Sequence, residues 1–161
     1  MIRASFLYLF IILIFSLHVL PLHSQERPLN TGLSNDEEYA FIGMTLSEML
    51  ERFGPPRSVA SARGIELWQD DVVFHYTGVD FYVFKDRVWQ VKFATTRGIS
   101  VGDRKEAVLL TLGSAAEDRG DFLLLPITGA NARIMWPLFI RINFTNTGLV
   151  NAIFLYRPDF Q

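Results

Sequence analysis

The chain has 161 residues, half of them hydrophobic, with 15 basic residues, 17 acidic residues and no cysteine. This length suits a single domain of ordinary size with a real hydrophobic core. The absence of cysteine excludes disulfide bonds and lipid attachment through a cysteine. The charges nearly balance and form no run of Lys or Arg, so binding to nucleic acid or to an anionic membrane lacks its usual electrostatic support.

The first 24 residues have the layout of a secretory signal peptide. Residues 1–3 make a short basic start, residues 6–20 are almost continuously apolar, and Ser24 is the small residue before the predicted cut. Leu22 is larger than the residue such a site prefers, so an uncleaved signal anchor spanning residues 4–22 is the alternative, and the one membrane contact we predict. In both cases we expect the rest of the chain to be exported, to the periplasm or beyond the cell.

Residues 25–40 are predicted to form a tether, because they contain Pro and Gly and have no hydrophobic periodicity. Within this segment the S-x-x-E pattern from Ser34 to Glu37 could cap one helical turn that runs into residues 39–42. Acidic residues in a first helical turn complement the helix dipole. We therefore predict no metal site and no cofactor there.

Residues 43–54 and 102–113 share one sequence frame, which points to an internal repeat. Each frame begins and ends with Gly, eleven positions apart, and three apolar positions correspond at a constant offset of 59. The i, i+1, i+4 spacing of those positions predicts a short amphipathic helix in each frame. Thr45 and Glu48 make a capping box for a helix over residues 46–52, which the two following prolines end.

Strand patterns follow each predicted helix. The segment after the first helix, residues 57–63, is interpreted as a loop or an irregular edge strand, and residues 114–120 as a polar loop. The predicted strands are residues 65–68, 72–76, 81–85 and 88–93, then 122–127, 134–136, 138–144 and 150–156. The predicted turns are Thr77-Gly78, Asp86-Arg87, residues 128–131 and residues 145–148.

The two halves therefore repeat one order of elements. Val88, Val91 and Phe93 match positions in the last strand at an offset of 62. Each unit is one supersecondary piece that does not cover its own hydrophobic face alone. We predict an α+β fold in which two tandem helix-plus-antiparallel-meander repeats, residues 41–98 and 99–161, form one sheet of about eight strands with the helices on one face.

The first frame fits the pattern G-x-s-x-x-e-v-x-x-x-l-G-x-P through Gly43, Thr45, Glu48, Met49, Phe53, Gly54 and Pro56. With the aromatic strand and the hairpin ending V-x-x-i-x-v, this resembles the β-lactamase-inhibitor-protein-like fold and the SmpA/OmlA-type outer-membrane assembly lipoproteins. The resemblance covers about residues 41–157. The second frame keeps Gly102, Val108, Leu112 and Gly113 but has Arg104 and Ala107 at the two capping positions.

Two departures separate this chain from those families. The assembly lipoproteins carry one such unit and a lipidated cysteine, whereas the secreted inhibitors have tandem units stapled by disulfides. This chain has two frames and no cysteine. The resemblance implies the fold and a mode of action, the binding of other proteins without chemistry, and it transfers no individual functional residue.

Candidate catalytic residues are few. No nucleophile elbow, zinc-binding H-E-x-x-H, P-loop or dinucleotide-binding pattern occurs in the sequence. His75 is the one histidine beyond the predicted signal peptide, with Asp70, Asp71 and Asp80 near it in sequence. One imidazole with scattered carboxylates does not make a zinc site or a nucleophile–base pair. We therefore predict a non-enzymatic protein, and a hydrolase built around His75 is the last-ranked hypothesis.

The far face of the sheet is the predicted partner-binding surface. Alternation along the strands would place Val72, Phe74, Tyr76, Tyr82 and Phe84 against the helices. The residues predicted on the other face are Val73, His75, Phe81, Val83, Trp89, Phe139 and Arg141. Of these, Trp89 could turn to either face, because the V-x-x-V spacing of Val88 and Val91 implies a β-bulge there. An uncovered sheet face of this mixed composition is typical of protein-binding surfaces. The alternative is that the tether or residues 156–160 fold over it.

These features give a leading functional hypothesis and one alternative. The leading hypothesis is an exported binding module that contacts an envelope or secreted protein through the open sheet face. The alternative is a carrier or sensor that holds a small apolar molecule against the sheet. A carrier needs a closed pocket, so native mass spectrometry that finds no co-purified small molecule counts against it.

Overall fold

A computed structural model describes residues 35–63, 70–127 and 137–158 of the chain. No helix within these ranges combines the length and apolar character needed to span a bilayer. Several sequence predictions fall outside the described residues: the signal peptide 1–24, the tether up to residue 34, the strands 65–68 and 134–136, and the turn 128–131.

The described residues form three α-helices and ten strands. The helices are α1 (Asn35–Tyr39), α2 (Leu46–Phe53) and α3 (Lys105–Leu112), the last continued by a 3₁₀ turn at Gly113–Ala115. The strands of the first half are β1 (Ser58–Arg63), β2 (Asp70–Tyr76), β3 (Val79–Phe84), β4 (Arg87–Phe93), β5 (Thr95–Thr96) and β6 (Ile99–Ser100). Those of the second half are β7 (Glu117–Asp118), β8 (Phe122–Ile127), β9 (Leu138–Phe144) and β10 (Val150–Tyr156).

Eight of the strands form one antiparallel sheet in the order β1-β2-β3-β4-β10-β9-β8-β7. The α+β class and the eight-stranded sheet are therefore confirmed. Residues 58–63 form a regular edge strand, whereas the segment predicted as a polar loop contains the short edge strand β7. The two-residue strands β5 and β6 pair with each other as a separate ribbon, which was not predicted from the sequence.

The predicted capping box opens α2. The backbone N–H of Glu48 donates to Thr45 Oγ1 at 3.1 Å, and the backbone N–H of Thr45 donates to Glu48 Oε2 at 2.8 Å. Gly54 ends the helix with φ of 74°, a conformation in which a side chain would be strained. The boundaries of this helix match the prediction to within one residue.

Helix α3 begins without such a cap. Arg104 occupies the N-cap position and makes no capping hydrogen bond through its side chain. Val108 is the buried residue of this helix, whereas Leu110 is 86% exposed. The second frame lacks the capping residues of the first, and α3 accordingly has no capping side chain and relies on packing instead.

Matching backbone contacts tie α2 and α3 to the sheet. In each half, one strand residue forms backbone hydrogen bonds with the opening glycine of the frame and with the residue that follows this glycine. These bonds join Gly43 N to Val88 O at 2.7 Å, Val88 N to Met44 O at 2.9 Å, Gly102 N to Val150 O at 2.8 Å and Val150 N to Asp103 O at 2.8 Å. A β-bulge follows the strand residue in both halves.

One face of the sheet packs against the helices to form the core. Met49 of α2 and Val108 of α3 belong to the same buried cluster as the inward residues of the strands. Phe41, fully buried, meets the rings of Phe53 and Phe81 edge-on, each at 5.5 Å between centroids. Tyr39 is also in this cluster, so the last residues assigned to the tether are part of the fold.

Candidate protein-binding face

Two of the residues predicted on the open face, Phe81 and Val83, lie instead in the core. Tyr76 pairs with Val79 across a two-residue turn, so Phe74 pairs with Phe81 and shares its face. The exposed fractions of Phe81 and Val83 are 0% and 6%. The prediction was wrong because a two-residue turn pairs even-numbered with odd-numbered positions, whereas the predicted faces kept one parity on both strands.

The same strand pairing places two aromatic residues, predicted on the helix side, on the opposite face of the sheet. Tyr82 pairs with Val73 and Phe84 follows it by two positions, so both belong to the face turned away from the helices. Both were predicted on the helix side, which was wrong for the same reason. The next hairpin also differs from its prediction, because its turn is Lys85-Asp86, with φ of 47° and 64°, rather than Asp86-Arg87.

Val73 and Trp89 lie away from the helical core but are themselves buried. Each is 3% exposed and neither belongs to the helix-packed cluster. The predicted bulge is present at Trp89, whose indole Nε1 donates to Asp71 Oδ1 at 3.1 Å. Asp71 is itself 2% exposed. This part of the far face is packed and therefore less available to a partner than predicted.

His75 is on the open face and pairs with Asp80. Their Nδ1 and Oδ1 atoms are 2.8 Å apart, and the side chains are 36% and 23% exposed. Ser58 lies opposite His75 on the neighbouring strand, but among the described residues no hydrogen bond joins its hydroxyl to the ring. A nucleophile–base contact is what a hydrolase of this kind requires. The described residues also contain no group of three or more potential metal ligands.

Phe139 and Arg141 lie on the open face as predicted, within a larger group of rings. Phe139 pairs with Tyr156, with ring centroids 6.1 Å apart. The guanidinium of Arg141 lies 4.1 Å from the ring centroid of Phe122, and its Nε donates to Asn143 at 2.8 Å. These contacts fix the rings and the cation in one arrangement on the surface.

A third ring pair extends this group towards the first half of the sheet. Tyr82 and Phe154 meet edge-on at 6.3 Å between centroids, across the strands β3, β4 and β10. We call the resulting surface the aromatic face; it consists of Tyr82, Phe122, Phe139, Arg141, Phe154 and Tyr156. Its rings are half-buried, and Arg141 is exposed.

The tyrosines of the aromatic face keep their hydroxyl protons. Burial raises the pKa of Tyr82, and the negative charges of Asp80 and Asp71 raise it further. Burial also raises the pKa of Tyr156, against a smaller lowering by the nearby charge of Arg141. Both phenols therefore stay neutral at physiological pH and offer a hydrogen-bond donor at the rim of an apolar surface.

No family model and no curated protein matches this chain. Among solved structures, the chain is similar to the 1.5 Å crystal structure of an extracellular protein containing a SCP domain from Bacillus anthracis str. Ames. The two are 16% identical, with a TM-score of 0.47, over 81% of this chain and 49% of that one. The chain spans about half the length of that protein, and the likeness at this level carries no argument about function.

Proposed function

We propose that this protein is an exported, non-enzymatic binding module that contacts a protein partner of the cell envelope through the aromatic face. The observation that carries the proposal is the half-exposed group of five rings around Arg141 on the side of the sheet away from the helices. Export rests on the signal-peptide pattern of residues 1–24.

The composition of the aromatic face favours a protein partner over other ligands. Tyr, Phe and Arg are enriched in protein interfaces, and Tyr and Arg are frequent among the residues that carry most of the binding energy. Ring contacts hold these side chains in place before binding, so less conformational entropy is lost when the complex forms. The surface has one exposed cation and no run of basic residues, which gives little support for nucleic acid.

We also propose that the two halves, residues 41–98 and 99–161, are helix-plus-meander repeats related to the β-lactamase-inhibitor-protein-like and SmpA/OmlA-type folds. The matching backbone bonds at Val88 and Val150, each followed by a bulge, support this relationship. The strand order also supports it, since four strands of one half meet four strands of the other at β4 and β10.

The proposal is tested by recovering partners from envelope extract with the exported chain as bait. The test variant is Phe139→Ala/Phe154→Ala, which removes two rings of the aromatic face. The control is Leu110→Ala, which removes a large side chain that is 86% exposed on α3. Loss of a central interface ring commonly costs at least about 2 kcal/mol, or about thirtyfold in affinity.

We expect quantitative mass spectrometry to show a set of proteins depleted with the double variant and retained with Leu110→Ala. Equal recovery of the same proteins by the wild type, the double variant and Leu110→Ala would show that the aromatic face is not the binding surface. Circular dichroism of each bait distinguishes lost binding from lost folding.

A further inference from the structure

A groove of about 410 Å³ lies beside α2, at the end of the sheet where β4 begins. The side chains that line it are Ala40, Ile42, Met44, Glu48, Arg52 and Arg87. Ile42 and Met44 are 5% and 8% exposed and give the groove an apolar floor. The groove shares no residue with the aromatic face, so a ligand bound in it is independent of the proposed function.

Two guanidinium groups are held in place at this groove. Arg52 lies over the rings of Phe41 and Phe53, at 5.2 and 5.4 Å from their centroids. Arg87 donates one hydrogen bond, from Nη1 to the carbonyl of Gly43 at 2.9 Å. Neither arginine takes part in an ion pair within the described residues. Each guanidinium carries five N–H donors, so most donors of both groups remain available.

Glu48 presents one free acceptor to the same groove. Its Oε2 accepts from the backbone N–H and the hydroxyl of Thr45, both at 2.8 Å. These hydrogen bonds, from the backbone first, lower the pKa of Glu48, and the nearby charge of Arg87 lowers it slightly further, so the carboxylate stays ionised. Its Oε1 takes part in no hydrogen bond among the described residues. The groove therefore combines two cations with one carboxylate, which leaves a net positive charge and one free acceptor oxygen.

The other half of the molecule indicates that the architecture does not require these polar groups. The bridge between Thr45 and Arg87 has a counterpart between Arg104 and Leu149, where an aliphatic side chain replaces the guanidinium. In α3 the positions of Glu48 and Arg52 are filled by Ala107 and Thr111, and the Thr111 hydroxyl donates to the carbonyl of Ala107 at 3.0 Å. The same backbone contacts therefore form without the charged side chains.

We propose that this groove binds an acidic peptide segment, with a side-chain carboxylate between Arg52 and Arg87. Planar guanidinium groups bind carboxylates through paired, charge-assisted hydrogen bonds. The apolar floor of Ile42 and Met44 accepts a neighbouring aliphatic side chain of the peptide. The free Oε1 of Glu48 accepts a peptide N–H, which a simple carboxylate does not provide.

The test is an NMR titration of the ¹⁵N-labelled full chain with two amidated, acetylated peptides, Gly-Leu-Glu-Leu-Gly and Gly-Leu-Gln-Leu-Gly. We expect the Glu peptide to shift the side-chain Nε–H signals of Arg52 and Arg87 and the amide signals of residues 40–44. Its affinity should exceed that of the Gln peptide on the order of tenfold, the effect of losing one charge-assisted contact.

Variants separate the site from general charge effects. Arg52→Gln and Arg87→Gln should each weaken binding on the order of tenfold, and Arg52→Lys should weaken it less, because the charge remains while the paired donors are lost. The control Arg104→Gln removes an exposed arginine at the N-cap of α3, the position that corresponds to Thr45 and lies outside the groove, and it should bind as the wild type does. The amide spectrum of each variant reports whether it is folded.

Three results would overturn the proposal. The first is the absence of any signal shift at Arg52 or Arg87 with the Glu peptide up to about 10 mM. At this concentration a binding free energy of only about 3 kcal/mol already gives a measurable shift. The second is equal affinity for the Glu and Gln peptides. The third is tighter binding of hexanoate than of the Glu peptide, because the site would then take small carboxylates rather than a peptide.

Discussion

The two faces of the sheet should respond very differently to the loss of one phenyl ring. Phe81→Ala removes a side chain that is fully buried and touches the rings of Phe41, Phe53 and Tyr76 at 5.1 to 5.6 Å between centroids. Phe139→Ala removes a half-exposed ring that meets the ring of Tyr156 at 6.1 Å. Comparing the stabilities of these two variants therefore tests directly which of the two phenylalanines lies in the core.

The magnitudes follow from burial and from the ring contacts. Replacing a fully buried Phe by Ala costs about 3–5 kcal/mol, since apolar contacts are lost and a cavity remains. Phe139→Ala loses one aromatic pair, about 0.5–1.5 kcal/mol, and the burial of half a phenyl side chain, roughly 1 kcal/mol, and it leaves no closed cavity. With a denaturant slope of about 2 kcal/mol/M, the urea midpoint should fall by about 1.5–2.5 M for Phe81→Ala and by about 0.8–1.3 M for Phe139→Ala.

Equilibrium unfolding in urea, followed by circular dichroism, gives both midpoints. Phe81→Leu supplies a milder core variant if Phe81→Ala does not fold, with an expected cost below that of the alanine variant because most of the volume is kept. An equal loss of stability for Phe81→Ala and Phe139→Ala would refute the register that pairs Phe74 with Phe81. A larger loss for Phe139→Ala would place Phe139 in the core and Phe81 on the surface.

Three further changes test the helix ends and one buried carboxyl. Thr45→Ala should lower the free energy of unfolding by about 1 kcal/mol, since it removes half of the capping box of α2; urea unfolding measures this. Arg104→Asp should raise the thermal midpoint, because it supplies the capping side chain that α3 lacks, and an unchanged or lower midpoint would count against this explanation. Burial raises the pKa of Glu38 above its ordinary 4.5, against smaller lowering by the Thr96 hydrogen bond and the Arg97 charge. The unfolded chain therefore releases this proton first, and stability falls as pH rises from about 4.5 through the raised folded pKa; Glu38→Gln should flatten that fall in unfolding curves between about pH 4 and 7.

The local features of the fold could be predicted from sequence because short stretches determine them. Thr45 and Glu48 are three residues apart and make the capping box within one helical turn. The long strands were visible in their alternating apolar residues, and the bulge at Trp89 followed from the V-x-x-V spacing. The ribbon β5–β6 and the edge strand β7 are two residues long each, too short for any periodic signal.

The candidate site was harder to predict because it depends on how strands pair. Tyr82 belongs to the aromatic face only because the turn between β2 and β3 has two residues, which fixes the pairing of Phe74 with Phe81. The turn Thr77-Gly78 was predicted from the sequence, so the pairing of Phe74 with Phe81 could have been deduced from it. Phe154 and Tyr156 join the same face through the pairing of β10 with β4, a contact between distant halves of the chain. No local sequence pattern predicts the pairing of β10 with β4.

Site-specific photo-crosslinking in cells that produce the protein tests the protein-binding surface most directly. A benzoylphenylalanine placed at Phe139 keeps an aromatic ring on the aromatic face, and the same residue at Leu110 samples an exposed apolar position on α3. We predict a discrete cross-linked species that contains a second protein from position 139 and none from position 110. Cross-linking from position 110 alone, or equally from both positions, would contradict the assignment of partner binding to the aromatic face.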